Sequence, residues 1–522
     1  MRWDQMSAAH ARAVQEVRLR DFIRKQVYPF SPHYHRLMDE RGIDPCSIRT
    51  LKDLRRIPFT SKEDLVGTER HPEKAREFVL QPSAEALRRR PSTLLRTLCG
   101  GPGHARRTLQ QEYGPLLMTS TTGRSADPVP FIYTGHDIDN LSTAGGRVID
   151  LGDCAPGDRI LNLFPYAPHL AYWLTHYAAH ARNVFSVGTG GGKVLGTTGN
   201  LDLLEKVRPT ILVGMPTFLY HLLHQGAAEK RLLESLRCIV LGGEKVAPGT
   251  RGKLARFAAQ MGAPRVSTLA TYGFTEAKLA YPECAVPVGE SSTGYHLFPD
   301  LGIVEIIDPD SGEVQPEGCG GEIVFTPLKA RGSVVLRYRT GDLCEGGVVH
   351  EPCPRCGRNV PRLLGRISRA SGIHGMRLHK LKGTLVDFNE LEHMLDGIDD
   401  IGSWQLELRK IDDDPMELDA LVLHASLAPA ADPQYVRRHL IEQFLQTAEL
   451  RPNEIQFHTE RGMRRLHGVG SVLKEERIVD NRPAALASQR VHLSRTGEAG
   501  APPRKHSRRR SLSGNNLHST TQ

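Results

Sequence analysis

Residues 210–225 read TILVGMPTFLYHLLHQ, which is a short apolar run of strand type followed by a turn and an amphipathic run of helical type. The same order recurs between Arg159 and about Arg256, with further strand-like runs at residues 160–164, 184–187 and 238–241. Strands that alternate with helices along a chain usually pair in parallel. The stretch therefore predicts an α/β fold built on a parallel sheet.

Changes of pattern along the chain predict four parts. Residues 1–60 read as a helical segment, and residues 61–365 as a large domain in which a β-rich subdomain of short strands and turns follows Gly302. Residues 366–482 read as a small α+β C-terminal domain, and residues 483–522 as a basic tail. Thr60 and Glu63 have the spacing of a capping box, so we expect a helix to begin there.

Length and composition exclude several classes of protein. A chain of 522 residues is too long for one core, so two or more domains are expected. Its nine cysteines are scattered, which argues against a disulfide scaffold. No apolar run is long enough to span a bilayer, and the N-terminus is charged where a signal peptide would be apolar. We therefore expect a cytoplasmic protein with no membrane partner.

The net charge of +9 is concentrated in the C-terminal tail. Residues 490–522 carry seven basic side chains and one acidic side chain, and they are rich in Pro, Ser and Gly, which is typical of disorder. Such a tail is either an arm that binds a polyanion or a solvated extension. The rest of the chain is nearly balanced in charge, so a nucleic-acid partner is not expected.

Residues 118–124, MTSTTGR, combine hydroxyl side chains, a glycine and a cation in one short loop. Backbone N–H groups at a glycine turn, hydroxyl donors and the Arg124 guanidinium all suit phosphate oxygens. Strand-like runs flank the loop, so it is predicted to lie at a hairpin tip. Taken alone, the pattern is also typical of an ordinary turn.

Further segments downstream carry chemistry that suits a nucleotide. In residues 271–276, TYGFTE, an aromatic ring and a glycine could flank a base, and Glu276 could hold magnesium. Residues 336–342, LRYRTGD, end in Asp342, a carboxylate suited to two ribose hydroxyls. Arg366 in LGR and Lys474 in GSVLKEER add two cations.

Taken in this order, the motifs resemble the adenylate-forming superfamily of acyl-CoA synthetases and luciferases, and more closely the phenylacetate-CoA ligases. The resemblance runs from about Tyr28 to Arg482 and includes the segments FPY at 164–166, VGMPT at 213–217 and LGGE at 241–244. It implies that residues 61–365 form an adenylation domain and that a mobile C-terminal domain follows. It also implies a reaction that consumes ATP with Mg²⁺, forms an acyl-adenylate from a small carboxylic acid, and passes the acyl group to coenzyme A.

The resemblance also implies a role for each matching residue. Catalytic roles fall to Lys474, Glu276 and Arg366, with Lys474 reaching the α-phosphate and Glu276 holding magnesium. The pyrophosphate is cradled by a run of loop residues: Thr119, Ser120, Thr121, Thr122, Gly123 and Arg124. The nucleoside and its phosphates are contacted by Gly243, Glu244, Tyr272, Gly273, Thr275 and Asp342.

Cys353 and Cys356 have the spacing of half a zinc site. The resemblance adds Cys284 and His296, which would complete a Cys3His set for a structural Zn²⁺. Cys344 or His350 could replace one of these ligands. Free thiols in a loop are the alternative to a metal site.

Departures from the family pattern leave the acceptor and the substrate open. Ser120 stands where the family has a glycine, and Ser368 stands where the hinge carries a carboxylate. An amine or a carrier-protein thiol could therefore replace coenzyme A as the acceptor. A non-catalytic binding protein on the ligase fold, with a tail that binds nucleic acid, is a further alternative. Residues 164–173, FPYAPHLAYW, suit an aromatic or apolar acid. The chain could also form a homodimer.

Overall fold

The computed structural model describes residues 3–68, 70–121, 128–246, 248–369, 380–381, 384–385, 388–410, 419–448, 450–469 and 477–482. The predicted loop residues Thr122, Gly123 and Arg124 lie outside these ranges, as do Lys474 and the basic tail. Within the described ranges, no helix is both long enough and apolar enough to cross a membrane.

The N-terminal residues form helices, as predicted, and they pack onto the large domain. The helices are α1 (Ala8–Phe22), α2 (Tyr28–Phe30), α3 (Pro32–Glu40), α4 (Leu51–Leu54), α5 (Ala84–Arg88) and α6 (Pro91–Tyr113). Short 3₁₀ turns occur at Pro45–Ser47, Lys62–Asp64 and Lys74–Phe78, and a π-helical turn at Ile23–Val27. Leu19, Phe22 and Tyr34 share one buried core with Phe131 and Tyr338 of the large domain.

The predicted helix start at Thr60 is wrong by one residue, and the element that follows is a 3₁₀ turn and not an α-helix. Ser61 caps a single 3₁₀ turn, Lys62–Asp64, and Asp64 completes the capping box. The backbone of Thr60 instead pairs with a distant segment, because its N–H donates to Arg337 O at 3.1 Å. Its side-chain Oγ1 lies 2.8 Å from the Tyr34 hydroxyl. Tertiary pairing therefore takes the groups that a cap would use.

A six-stranded sheet in the order β4-β3-β5-β6-β7-β8 forms the centre of the large domain. Its strands are β3 (Arg159–Asn162), β4 (Phe185–Gly188), β5 (Ile211–Gly214), β6 (Cys238–Leu241), β7 (Ser267–Phe274) and β8 (Leu279–Pro282). All neighbours pair in parallel except β7 and β8, which form an antiparallel hairpin. The predicted parallel α/β sheet is confirmed.

Helices connect these strands and cover the sheet. They are α7 (Gly135–Leu151), α8 (Leu170–Ala181), α9 (Gly192–Val207), α10 (Pro216–Ala228) and α11 (Pro248–Gln260). Strands β5 and β6 are buried along their whole length, which is typical of parallel strands with both faces covered. Their sequences therefore show no alternation of apolar and polar residues. The carboxyl ends of these parallel strands lie at one edge of the sheet.

The β-rich part of the large domain surrounds that edge. The hairpin predicted around the hydroxyl loop is present, formed by β1 (Pro115–Ser120) and β2 (Pro130–Thr134). Two further sheets have the orders β10-β11-β12-β15 and β13-β14-β9. Their strands are β9 (Tyr295–His296), β10 (Gly302–Ile307), β11 (Gly321–Pro327), β12 (Tyr338–Cys344), β13 (Val348–Val349), β14 (Arg362–Leu363) and β15 (Ile367–Arg369).

The C-terminal residues form a separate α+β unit with its own core. Its sheet has the order β20-β19-β18-β21, and a two-stranded ribbon pairs β16 with β17. The strands are β16 (Lys380–Leu381), β17 (Thr384–Leu385), β18 (Ile401–Lys410), β19 (Asp419–Leu427), β20 (Glu454–His458) and β21 (Ile478–Asp480). The helices are α12 (Phe388–Asp396), α13 (Pro433–Ala448) and α14 (Glu460–Leu466).

Candidate active site

A cavity of about 1970 Å³ opens at the carboxyl ends of the parallel strands, where the β-rich part and the C-terminal unit meet the sheet. Ligands of open α/β sheets bind at this edge, because the loops that follow the strands converge there. The cavity collects most of the predicted nucleotide-site residues from segments far apart in sequence. They are Thr121, Gly243, Glu244, Tyr272, Gly273, Thr275, Glu276, Asp342 and Arg366.

The described part of the hydroxyl loop reaches the cavity only through Thr121. Thr119 is fully buried, and its Oγ1 lies 3.5 Å from the Tyr133 hydroxyl, beneath the cavity wall. The backbone of Ser120 is held by Pro168 and His169, since its N–H donates to Pro168 O at 2.6 Å and its carbonyl oxygen lies 3.1 Å from His169 Nδ1. Thr121 closes the hairpin by accepting a hydrogen bond from the Val129 N–H at 3.0 Å.

Gly243 and Glu244 follow β6 and shape one wall of the cavity. Gly243 has φ +81°, a left-handed conformation that favours glycine, and a Cβ at this position would lie 3.7 Å from Met215 and 3.9 Å from Phe164. One carboxylate oxygen of Glu244, Oε2, accepts hydrogen bonds from the Thr217 N–H at 3.1 Å and from its hydroxyl at 2.8 Å. The other, Oε1, is buried and has no hydrogen-bond partner among the described residues. It is available to a donor on a ligand.

Tyr272 and Asp342 come together across the cavity. The Tyr272 hydroxyl donates to Asp342 Oδ2 at 2.9 Å, and the Asp342 N–H donates to Thr340 Oγ1 at 3.0 Å. Asp342 is almost buried, and the hydrogen bond from Tyr272 orients its carboxylate, whereas the bond to Thr340 fixes its backbone. Gly273 is required by packing, because a Cβ there would lie 2.6 Å from the Ala280 Cβ on the paired strand β8.

Glu276 and Thr275 lie in the 3₁₀ turn that ends β7. The Tyr338 hydroxyl donates to Glu276 Oε1 at 2.7 Å, which fixes one side of the carboxylate. Tyr338 and Thr217 therefore belong to the candidate site, although the sequence predicted no role for either residue. Both belong to motifs quoted above, but nothing in a linear sequence shows which carboxylate a distant hydroxyl will contact.

Arg366 and Arg477 bring positive charge to the side of the cavity nearest the C-terminal unit. Arg366 is half exposed and donates to Glu345 Oε1 at 2.9 Å. Arg477, which was not predicted as a site residue, lines the cavity and contacts Asp396 Oδ1 and Oδ2 at 2.8 and 3.0 Å. Its guanidinium also lies over the Trp404 ring, 5.0 Å from the centroid. It is the described residue next to the segment that holds Lys474.

A second cluster outside the cavity brings together Cys284, His296, Cys353 and Cys356, whose ligand atoms all lie within 4.8 Å of one another. Cys284 Sγ is 3.9 Å from Cys353 Sγ, and Cys356 Sγ is 3.3 Å from His296 Nε2. Around a tetrahedral zinc, neighbouring ligand atoms are separated by roughly 3.5–3.8 Å. The other ring nitrogen, Nδ1, lies 3.2 Å from Pro282 O, so the backbone orients the ring toward the thiols.

Crowding of the thiols and the imidazole changes their proton affinities. Hydrogen bonds from Cys284 and Cys356 lower the pKa of Cys353, and the contact with Cys353 raises the pKa of Cys284. Burial alone would lower the pKa of His296, but its contacts with the Cys353 and Cys356 sulfurs raise it to about 8. The alternative ligands are elsewhere: Cys344 Sγ donates to Leu364 O at 3.0 Å, and His350 pairs with Glu317 at 3.2 Å.

Comparison with known proteins relates the chain to enzymes that bind AMP. Residues 137–329 match the family described as AMP-binding enzyme. The phenylacetate-coenzyme A ligase of Thermus thermophilus is 29% identical over 377 residues, covering 70% of this chain and 73% of the relative. That of Escherichia coli is 26% identical over 392 residues, covering 74% and 78%.

A solved structure shows the same fold. It is 2-hydroxyisobutyryl-CoA ligase in the postadenylation state, which aligns with a TM-score of 0.68 at 18% identity. The alignment covers 92% of this chain and 91% of that one. The similarity extends over both the large domain and the C-terminal unit.

Proposed function

We propose that the chain, a phenylacetate-CoA ligase-like relative of the adenylate-forming enzymes, activates a carboxylic acid with ATP and transfers the acyl group to coenzyme A. In the first half-reaction, a carboxylate oxygen attacks the α-phosphorus of ATP, the bond to the bridging oxygen breaks, and pyrophosphate leaves. In the second, the thiol of coenzyme A adds to the acyl carbon and loses its proton, and AMP leaves with the carboxylate oxygen.

The observation that carries this proposal is the convergence of Glu244, Tyr272, Glu276 and Asp342 in one cavity. Phosphoryl chemistry of this kind depends on positioning and electrostatic stabilisation more than on acid or base groups. Asp342, oriented by Tyr272, accepts hydrogen bonds from the ribose hydroxyls. Glu244 Oε1 accepts a hydrogen bond from the amino group of the adenine, which satisfies a buried acceptor that would otherwise remain unpaired.

Glu276 is the residue that would hold Mg²⁺, together with phosphate oxygens of ATP. The carboxylate is a ligand type that magnesium prefers, and Tyr338 orients it by its 2.7 Å hydrogen bond. When bound, magnesium would supply positive charge that neutralises the departing pyrophosphate. Thr275 beside it offers a hydroxyl to the phosphates.

The remaining cations complete the proposed site. Arg124 and the loop around it hold the pyrophosphate, and Arg366 supports the ribose. Lys474 neutralises the α-phosphate and the attacking carboxylate during adenylation. A lysine suits this step because its compact charge sits on a flexible stem and can be withdrawn afterwards.

We also assign the cluster of Cys284, His296, Cys353 and Cys356 to a structural Zn²⁺. Three thiols and one imidazole form a closed tetrahedral set with no position left for substrate. The metal would join β8 and β9 to the turn at residues 353–356, and none of the four residues lines the cavity. Its contribution would be to the stability of the β-rich wall.

The experiment is to incubate the protein with ATP, Mg²⁺ and aromatic or aliphatic acids, with and without coenzyme A, and to identify products by mass spectrometry. We expect acyl-adenylate without coenzyme A and thioester with it. Lys474→Ala should lose adenylate formation, whereas Lys52→Ala, on α4, should keep it. Adenylate without thioester would assign the acceptor to an amine or a carrier-protein thiol. No adenylate with any acid would contradict the proposed function.

A further inference from the structure

The cavity has a deep apolar branch that nucleotide chemistry does not use. It runs between the sheet and helices α7 and α8, and we call it the acyl channel. Its wall is formed by Val148 and Ile149 of α7, Leu174 and Ala178 of α8, and Ile211 and Val240 of the sheet. Val148 and Val240 each keep 9% of their surface exposed although they lie within the central core, whereas Ile211 keeps 1%, so the branch is open beside the two valines and narrows toward Ile211.

The strand register orders the channel by depth. Val213 is level with Val240, and Ile160 is level with Ile211 one layer further down. Alternate residues of a strand share a face, so Ile211, Val213 and then Met215 lie in sequence along one wall. Met215 is beside Gly243 at the mouth. The channel thus begins where the nucleotide site ends and continues toward the amino ends of the strands.

The length of the channel follows from the strand geometry. Four steps of extended chain separate Ile211 from Met215, which corresponds to about 13 Å at about 3.3 Å per residue. A straight alkyl chain rises by roughly 1.3 Å per bond, given a C–C bond of about 1.5 Å. The channel therefore accepts about ten methylene groups in line. A phenyl ring would occupy only its upper part.

The chemistry of the wall suits an alkyl chain rather than a polar substrate. Apart from Tyr172, Thr175 and Cys154, the side chains that face the branch from α7, α8 and strands β3, β5 and β6 are aliphatic. The Thr175 hydroxyl is already used, because it donates to Ala171 O at 3.0 Å. Cys154, near the deep end, is kept as a neutral thiol, since burial raises its pKa to about 12.

We propose that the acid activated by this protein is a straight-chain aliphatic carboxylic acid of about ten to twelve carbons, with its alkyl chain in the acyl channel and its carboxylate beside Gly243. This inference rests on the proposed function and specifies its substrate. Each methylene group buried in an apolar site contributes enough transfer free energy to raise kcat/KM about fourfold. Specificity for the acid then comes from chain length, and the depth of the channel sets its limit.

The test is a chain-length series of acids from hexanoate to tetradecanoate, with phenylacetate for comparison, scored by pyrophosphate release. We expect kcat/KM to rise about fourfold per methylene up to decanoate or dodecanoate and to fall beyond. Val240→Phe places a ring in the middle of the channel. It should lower kcat/KM for decanoate at least about tenfold while changing that for hexanoate less than about threefold.

Two controls keep the outcome interpretable. Val17→Phe makes the same change at an exposed position of α1 and should leave the profile unchanged. If Val240→Phe does not fold, Val148→Phe fills the channel from the helix side. Higher kcat/KM for phenylacetate than for decanoate, or an equal loss of hexanoate and decanoate in the filled variants, would overturn the inference.

A binding measurement separates this inference from the proposed function. Decanoate should displace a fluorescent polyene fatty acid from the wild-type protein and not from Val240→Phe, whether or not turnover occurs. Displacement without pyrophosphate release would refute the proposed function and leave the channel assignment standing. Pyrophosphate release from phenylacetate without displacement by decanoate would refute the channel assignment alone.

Discussion

One hydrogen bond, from Tyr272 to Asp342, orients a carboxylate of the candidate site. The carboxylate is almost buried, and the phenol donates to Oδ2 at 2.9 Å from a strand 70 residues away in sequence. The tyrosine therefore orients the carboxylate and limits its rotation. We propose that Asp342 binds the ribose and that the Tyr272 hydroxyl only positions its carboxylate.

Substitution at these two residues should separate the two roles. Asp342→Asn should lower kcat/KM for ATP about 10- to 100-fold, because hydrogen bonds to a charged group contribute about 1.5–3 kcal/mol. Tyr272→Phe keeps the ring and should cost less than about tenfold. Pyrophosphate release at varied ATP checks both values. Equal losses in the two variants would show that Asp342 has no separate role in binding ATP.

At this scale the sequence predicted most of the candidate residues that line the cavity, but not the partners that orient them. Glu244, Glu276 and Asp342 stand in motifs whose residue types suggest their chemistry. Thr217 and Tyr338, which orient Glu244 and Glu276, contact them only after the chain folds, 27 and 62 residues apart. A hydroxyl at such separation gives no signal in a single sequence.

The elements around the cysteine cluster show how one metal ion could support a wall of short strands. β9, β13 and β14 have two residues each, too few to be stable alone. Cys284 follows β8, His296 lies on β9, and Cys353 and Cys356 form a turn before β14. A zinc ion would cross-link these segments where hydrophobic burial is limited.

Removal of the metal should therefore destabilise the protein without blocking the cavity. The purified protein is expected to contain one zinc per chain by elemental analysis. Cys356→Ser should lose zinc and lower Tm by several degrees, about 5 °C or more. Cys319→Ser, at an exposed cysteine outside the cluster, should change neither quantity. Wild-type protein that contains no zinc as purified, or a Cys356→Ser variant that keeps the wild-type Tm, would contradict the zinc assignment.

At the scale of elements, the long periodic stretches were predictable and the edges were not. The runs around 160, 185, 211 and 238 are buried on both faces, so their apolar character alone marks β3, β4, β5 and β6. The cap near Thr60 was misplaced because Thr60 pairs with Arg337, a contact between distant segments. The acid was predicted to lie against residues 164–173, and Phe164 and Leu170 of this segment line the cavity. The deeper part of the acyl channel was not predicted, because an apolar wall and an apolar core have the same residue types.

The large domain and the C-terminal unit meet through a buried network of histidines. His221 Nε2 of α10 lies 3.3 Å from His467 Nδ1, and His467 Nε2 lies 2.9 Å from Trp404 O. Tyr220 donates to Glu460 at 3.2 Å beside them. The charged and titratable groups that face the pair are His224, Glu460, Arg464 and Arg477. Desolvation lowers the pKa of His467 to about 4 and that of His221 well below its usual value.

These lowered pKa values predict that contact between the two units weakens in acid. In the unfolded or separated state, each histidine binds a proton near pH 6.5, whereas the packed state resists protonation until about pH 4. Stability is therefore unaffected above pH 6.5 and is lost as the pH falls from 6.5 toward 4, by about 2 kcal/mol for His467 at pH 5.

Unfolding by denaturant at pH 7.5 and pH 5.0 measures this effect. His467→Gln should show a smaller loss of stability between the two pH values than the wild type does, whatever its stability at pH 7.5. His71→Gln, at an exposed histidine, should follow the wild type. Parallel losses in wild type and His467→Gln would show that the buried pair does not titrate as described.

The central claim, that this cavity joins a carboxylic acid to AMP, is tested most directly by acid-dependent exchange of labelled pyrophosphate into ATP without coenzyme A. This measurement reports only the first half-reaction and does not depend on the acceptor. We expect exchange with decanoate in the wild type and strongly reduced exchange in Asp342→Asn. A folded wild-type protein that exchanges no pyrophosphate with any aromatic or aliphatic acid would contradict it.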